Sequence, residues 1–304
     1  MKSLVEKLKN IDLAKINFKK ALRIAIQVFF LIKMPSAFTA AFSGVKYVFT
    51  QLGMGEPLAL SSFFAILLVL LAYTIVFGRF FCGYACFFGT FNDWVHEAYL
   101  LLCKRLKYKP QQIGEKQGRL FSAIKYVVLA LICLLCYLGV WENTRGMSPW
   151  EVFSMISAGR FDLSGYGFGI AFLAAIFFGV AFTDRFFCRF LCPMGAVFSL
   201  MPVLPFFSLH RVKKDCVKGC KACTKLCPSN IELPDIKSIG VSGDCFQCQR
   251  CIGGCTVLKL RKKKGQEAKS NISCGISCLQ GDELWFTLLR AALLYAVMAA
   301  AGVA

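Results

Sequence analysis

Cys216-Val-Lys-Gly-Cys220-Lys-Ala-Cys223-Thr-Lys-Leu-Cys227-Pro228 and, further on, Cys245-Phe-Gln-Cys248-Gln-Arg-Cys251-Ile-Gly-Gly-Cys255 carry eight of the seventeen cysteines in this 304-residue chain. Each stretch is a run of four cysteines that closes on an x3-Cys step. A cubane iron–sulfur cluster needs four thiolates, and short spacings let the intervening backbone amides wrap its sulfides. Zinc sites draw instead on separated Cys-x2-Cys pairs, two plus two. The two runs therefore predict two [4Fe-4S] clusters within residues 205–264. The whole extramembrane stretch, 205–282, holds Pro205, Pro228 and Pro234 and shows little periodicity. It is expected to lack a core of its own and to draw folding energy from the metal.

Outside these runs the chain is of a different kind. Hydrophobic residues make up 57% of it, and thirty are phenylalanine. Apolar stretches of about 18 residues or more with few charges predict membrane-spanning helices. Four occur, at about 57–77, 121–141, 166–183 and 283–303, the last with Arg290 near its start. A fifth, about 22–41, is interrupted by Lys33 and Pro35, and residues 42–55 are too short and mixed to assign. The expected fold is an all-α integral membrane bundle of about five helices with a small α+β two-cluster module. The bundle would take residues 21–204, the module 205–264, and a linker with the last helix 265–304. Residues 1–20 are charged and helix-periodic, which suits an amphipathic segment lying on the membrane. They lack the apolar core and cleavage site of a signal peptide.

Charge orients this scheme. The net charge of +19 would suggest nucleic acid in a soluble protein, but no nucleic-acid-binding motif accompanies it. Lysine and arginine crowd the segment before the first span and the loop 104–125, whereas 142–165 holds Glu142, Glu151 and Asp162 against Arg145 and Arg160. Basic loops stay cytoplasmic, so the expected topology is N-terminus in, five spans, C-terminus out, with the module inside. Reduced thiols fit that compartment. From Arg211 to Lys264 there are 13 basic and 4 acidic residues. Such a patch either steers an acidic redox partner or rests on anionic lipid.

A duplication lies in the membrane half. Phe77-Gly-Arg-Phe-Phe-Cys82-Gly-Tyr-Ala-Cys86-Phe-Phe-Gly89 ends one span, and Thr183-Asp-Arg-Phe-Phe-Cys188-Arg-Phe-Leu-Cys192-Pro-Met-Gly195 ends another. Two spans separate the copies, so they run in the same direction, as in parallel repeats about an axis along the membrane normal. Cysteines at i and i+4 share a helix face. Three readings of Cys82, Cys86, Cys188 and Cys192 stay open: a third iron–sulfur or metal centre, redox-active thiols, or small packing residues. Cys274 and Cys278 repeat the spacing and are a further candidate metal pair near the interface, without two more ligands close in sequence. Cys103, Cys133 and Cys136 read as packing. His96, with Asp93 and Glu97, suits proton-coupled quinone chemistry or, more simply, a solvated helix face. Covalent haem c is excluded by the absence of Cys-x-x-Cys-His, and no Gly-x-Gly-x-x-Gly follows a strand to bind a nicotinamide.

In bacterial two-cluster ferredoxins the fourth cysteine of each run ligates the other cluster. On that pattern Cys216, Cys220, Cys223 and Cys255 hold one, and Cys245, Cys248, Cys251 and Cys227 the other. Two departures stand out. The first run opens with x3 in place of x2, which leaves open a three-iron centre without Cys216, and Thr256 replaces the proline usual after the last cysteine.

Over roughly residues 20–260 the chain resembles the polytopic ferredoxin-type membrane proteins of the NapH/NosR/CcoG group. The hallmarks are two Arg-x-Phe-Cys-x3-Cys-Pro-x-Gly motifs and a downstream two-cluster domain. Cys188, Cys192, Pro193 and Gly195 match the second motif; the first keeps Cys82, Cys86 and Gly89 but has Phe87 at the proline. The resemblance implies an electron-transfer component of a bacterial or archaeal inner membrane. Such a component links a cytoplasmic donor of ferredoxin or flavodoxin type, or the quinone pool, to a membrane or extracytoplasmic redox partner such as a membrane oxidoreductase subunit. If catalytic, it would be an oxidoreductase. The alternatives are a metal-handling or maturation factor built on the Cys82/Cys86/Cys188/Cys192 thiols, and a redox sensor.

Overall fold

The computed structural model describes residues 13–108, 115–141, 146–157, 159–160, 162, 165–204, 207–235, 242–263, 270–274 and 284–302. Helix α1 (Leu13–Lys33) stops where Pro35 removes a backbone donor and crowds the preceding turn, and α2 (Ala37–Met54) sets off at 61° to it. The expected span at 22–41 is therefore a broken pair, and the stretch left unassigned at 42–55 is helical. A chain reversal through Gly55, at φ 70°, ends α2. Helix α3 (Ser62–Phe77) begins with the Ser61 hydroxyl accepting from the Phe64 amide. Helix α2 packs on α3 and on α6 (Ile124–Tyr137). Helix α4 (Phe87–Arg105) packs on α8 (Gly167–Phe182), which also meets α7 (Pro149–Ser157). Helix α5 (Glu115–Phe121) precedes α6.

Among the described residues no single helix is long and apolar enough to cross a membrane. The other four expected spans are helices of 16, 14, 16 and 17 residues, the last being α14 (Leu284–Ala300). At about 1.5 Å rise per residue they fall short of a hydrocarbon layer about 30 Å thick. Their outward faces carry Phe63 and Leu68, Val127, Leu131 and Leu134, Phe168, Phe172 and Phe178, and Leu288, Leu289 and Leu293, all exposed. Arg79, Lys125, Arg185 and Arg290 are fully buried.

The sequence duplication is a structural one. After α3 a single π-helical turn, Phe81–Ala85, carries Cys82, and after α8 the short helix α9 (Phe186–Phe190) carries Cys188. Both copies close the same way: the Cys86 amide bonds to the Phe81 carbonyl at 2.9 Å, and the Cys192 amide to that of Phe187 at 2.9 Å. Each second cysteine then caps the following helix in extended conformation, Cys86 before α4 and Cys192 before α10 (Pro193–Leu200). At the first helical position the amide has no intrahelical partner, so proline or Phe87 serves equally. Gly89 and Gly195 press on the carbonyls of Cys82 and Cys188, where an added Cβ would sit 2.6 and 2.9 Å away.

The module is small. Strands β1 (Leu209–Arg211) and β2 (Ile272–Cys274) pair antiparallel, with Leu209 opposite Cys274 and Arg211 opposite Ile272. Single turns α11 (Ala222–Lys225) and α12 (Arg250–Gly253) each carry a cysteine, and α13 (Thr256–Lys263) follows the second run. Contrary to expectation the module has a core, built from Leu209, Leu233, Ile252, Ile272 and Phe286. Two of these lie in the segment 265–304: Ile272 comes from β2 and Phe286 from α14.

Candidate iron–sulfur site and its junction with the helices

Cys227, Cys245, Cys248 and Cys251 line a single cavity, together with Cys223 and the apolar side chains of Leu209, Pro228, Leu233 and Phe246. The fourth cysteine of the first run thus lies with the first three of the second. The backbone of the second run is unusual for its residue types. Gln247 and Gln249 stand in the left-handed region, φ 54° and 58°, at a cost of about 1–2 kcal/mol each. Left-handed residues among right-handed ones turn successive amides into one concavity, the form in which backbones receive anionic centres including iron–sulfur clusters. The donor set, the dry lining and this backbone suit a cubane held by four thiolates. Among the described residues no three His, Cys, Asp or Glu side chains converge on one metal ion. Burial pushes the Cys245 thiol up to about 12, so the positive charge of iron is what would make it a thiolate.

The other expected set is buried to the same degree, three half-buried cysteines and one buried in each set. Cys216, Cys220 and Cys223 are half-buried and Cys255 is buried. Cys216 lies within electrostatic reach of Cys255 and Cys223, and its thiol donates to the Val212 carbonyl at 3.3 Å. Both sequence departures have local explanations. The extra residue of the first run is taken up by a turn in which the Cys220 amide bonds to the Val217 carbonyl, with Gly219 at φ 71°. Thr256, standing where proline is usual, places its hydroxyl 3.2 Å from the Cys220 sulfur. That contact, helped by the Ala222 amide, lowers the Cys220 thiol below its ordinary value. Arg211 sits 3.8 Å from the Cys223 sulfur.

The second run is also the docking loop, and Phe246 is its plug. Its ring, 2% exposed, lies between two guanidinium groups, Arg79 at 4.6 Å and Arg185 at 5.0 Å. These are the equivalent arginines of the two repeat copies. Gly83, inside the first Cys-x3-Cys, lets the Phe246 carbonyl approach so closely that a Cβ would be 2.4 Å from it. Around the plug, Asp244 pairs with Lys125 and Arg79, Gln249 bonds Thr287 of α14, and Arg250 pairs with Asp93 and Asp184.

Asp93 is the hub of this junction. Arg185 donates to both its oxygens, at 2.9 and 2.8 Å, and Arg23, Arg250 and Gln27 add further bonds. Burial alone would raise its carboxyl, but Arg185, Arg23 and Arg250 outweigh that and hold it well below the usual carboxylate range. The solvated-face reading of Asp93, His96 and Glu97 is thus corrected for Asp93. His96 donates to the Val180 carbonyl instead, and Glu97 pairs with Lys20 at the surface. The signal available in sequence was an arginine repeated at the same place in both copies of an otherwise apolar motif.

Cys82, Cys86, Cys188 and Cys192 are all buried and lie close enough to act on one another's charge, with Arg79 reaching toward Cys82 and Cys192. Cys103 and Cys136 are buried and Cys133 half-buried in helices. Cys278 lies outside the described residues, and of Cys274 only the backbone of β2 is described.

A family model described as a 4Fe-4S binding domain matches residues 59–110 and 167–208, one match on each repeat copy. An uncharacterized protein of Methanocaldococcus jannaschii is 29% identical over 192 residues, 62% of this chain and 74% of that protein. Protein NirI of Paracoccus denitrificans is 30% identical over 60% of this chain but only 26% of its own length. The methylamine utilization ferredoxin-type protein MauN of the same organism is 26% identical over 63% of this chain and 64% of its own. No solved structure matches the chain. With the family match falling on both copies of the duplicated motif, the chain resembles the ferredoxin-type electron-transfer proteins of the NapH/NosR group.

Proposed function

We propose that the chain is a membrane-embedded iron–sulfur relay. Cys227, Cys245, Cys248 and Cys251 would hold an inner cluster against the helices, and Cys216, Cys220, Cys223 and Cys255 an outer one. Such clusters exchange single electrons at potentials set by charge, hydrogen bonds and exposure. The observation that carries this reading is the cavity in which four of the expected ligands meet, on a loop anchored by Phe246 into the repeat. Leu209, Leu233 and Phe246 exclude water from it. Arg79, Arg185 and Arg250 supply positive charge beside it. Membrane embedding is supported by the surface: apolar side chains point outward and charged ones inward, the arrangement lipid favours and water does not. The exposed Lys213, Lys214, Lys218, Lys221 and Lys225 surround the first run and suit an acidic one-electron donor of ferredoxin or flavodoxin type. A quinone or a membrane oxidoreductase subunit is the acceptor.

Anaerobic iron and sulfide analysis with redox-titrated EPR tests the reading. Two cubanes give about eight irons per chain. Iron-free protein that is folded and supports electron transfer would sink it. A third centre at Cys82, Cys86, Cys188 and Cys192 is a second proposal, supported by their mutual burial and by the 4Fe-4S family match over both pairs. It raises the count to about twelve irons. The Cys82→Ala, Cys188→Ala double variant should then lose that excess and keep the signals of the other two.

A further inference from the structure

The two guanidinium groups on Phe246 lie between the repeat cysteines and the inner cavity. Arg79 is 1% and Arg185 0% exposed. Their charges act on both sides: Arg79 on Cys82 and Cys192, and Arg185 on Cys188 and Cys248. Around the same junction lie Arg23, Lys125, Arg189 and Arg250, while the carboxylates present are Asp93, Asp184 and Asp244. Six cations against these three carboxylates, with a fourth, Glu232, exposed at the rim of the cavity that Arg79 and Arg189 line, leave a positive excess, most of it buried. Three of the inner cysteines face that excess: Arg79 acts on Cys245, Arg189 on Cys227, and Arg185 and Arg250 on Cys248. Around the first run the balance differs: Arg211 is paired with Glu232, and the lysines there are exposed, where water and salt screen them.

Resting on the proposed two-cluster reading, we infer that Arg79 and Arg185, clamped on Phe246, raise the reduction potential of the inner centre above that of the outer one. Reduction adds negative charge to a thiolate-held cluster, and a fixed buried cation stabilises the reduced form. Burial works in the opposite sense, because a low-dielectric site disfavours the more highly charged state. The unbalanced cations decide the sign. An electron entering among the exposed lysines would therefore settle against the helices, next to the repeat cysteines. The arginines are positioning residues here: they touch the loop that bears the ligands and act through charge.

The test is an EPR-monitored redox titration of the full chain, purified anaerobically in detergent. The Cys220→Ser variant assigns the signals, since it disturbs only the outer one. In the unsubstituted protein the inner signal is expected to appear first as the potential is lowered. In Arg79→Gln the reduced-to-oxidised ratio of the inner centre, read at the original midpoint, is expected to fall about tenfold, a shift of about 59 mV for one electron. The outer centre stays unchanged, and Arg79→Lys, which keeps the charge, stays near the original value. If the outer signal appears first in the unsubstituted protein, the inference is overturned, whatever the variants do. It is also overturned if Arg79→Gln retains full iron with an unmoved inner midpoint. Absence of iron and of any cluster signal would instead remove the two-cluster reading on which it stands.

Discussion

Asp93 shows how far a residue's role can depart from its sequence surroundings. It shares a helix with Glu97, yet Asp93 is buried among three arginines while Glu97 meets Lys20 in water, the pair being 44% and 55% exposed. Removing one partner of a buried ion pair leaves charge uncompensated, at about 3–5 kcal/mol, whereas exposed pairs are worth about 0–1 kcal/mol. Asp93→Asn is expected to lower the denaturation midpoint of the detergent-solubilised protein by the larger amount and Glu97→Gln by almost nothing. Equal effects would refute the hub. Thr256 makes a second case. Hydrogen bonds to cluster sulfurs help to set the potential, so Thr256→Val, which removes the hydroxyl beside Cys220, should lower the midpoint of the outer centre alone. A redox titration in which the inner signal moves instead would misplace Cys220.

At the scale of elements, two glycines separate packing from backbone strain. Gly83 lies where a Cβ would meet the Phe246 carbonyl, a backbone atom, at 2.4 Å, so one of the two segments must shift. Gly219 has φ 71° with open space around it. Gly83→Ala should push the docking loop off the repeat, at about 1–3 kcal/mol, and make the module melt separately from the helices. Gly219→Ala should cost about 1–2 kcal/mol from left-handed strain and leave one cooperative transition. Differential scanning calorimetry on both variants reads the difference. Much of this architecture was legible beforehand. The cysteine runs, the two repeat copies and the helices near 62–77, 124–137, 167–182 and 284–300 all announce themselves through short-range spacing or composition. The break at Pro35 was visible too, but the helix beyond it was not, because Thr39, Ser43, Lys46 and Gln51 interrupt its apolar pattern. Strand β2 is three residues long and owes its existence to β1, some sixty positions earlier. The junction was illegible for the same reason: Phe246 meets Arg79 and Arg185 only after folding, and no local pattern marks a phenylalanine inside a cysteine run as a plug.

Over the whole molecule, charge is sorted into two populations. Buried arginines hold the docking loop against the helices, and exposed lysines around the first run face solvent. The apolar outward faces of the helices predict that alkaline carbonate will leave the chain in the membrane pellet. Release into the supernatant would count against embedding. The lysines make a separate kinetic claim. Lys213, Lys214, Lys218, Lys221 and Lys225 are exposed around the first run, so they would govern the encounter with a donor rather than the stability of the fold. Surface charges steer association over about a Debye length, which shrinks from about 30 Å at 0.01 M salt to about 8 Å at 0.15 M. Electron uptake from an acidic one-electron donor should therefore slow by tenfold or more across that range, within the span that steering supplies. Lys218→Gln with Lys221→Gln should lower the rate at low salt and flatten its salt dependence while leaving both midpoints in place. A rate indifferent to salt, or a double variant that shifts a midpoint instead of the encounter, would mean that the donor docks elsewhere on the chain.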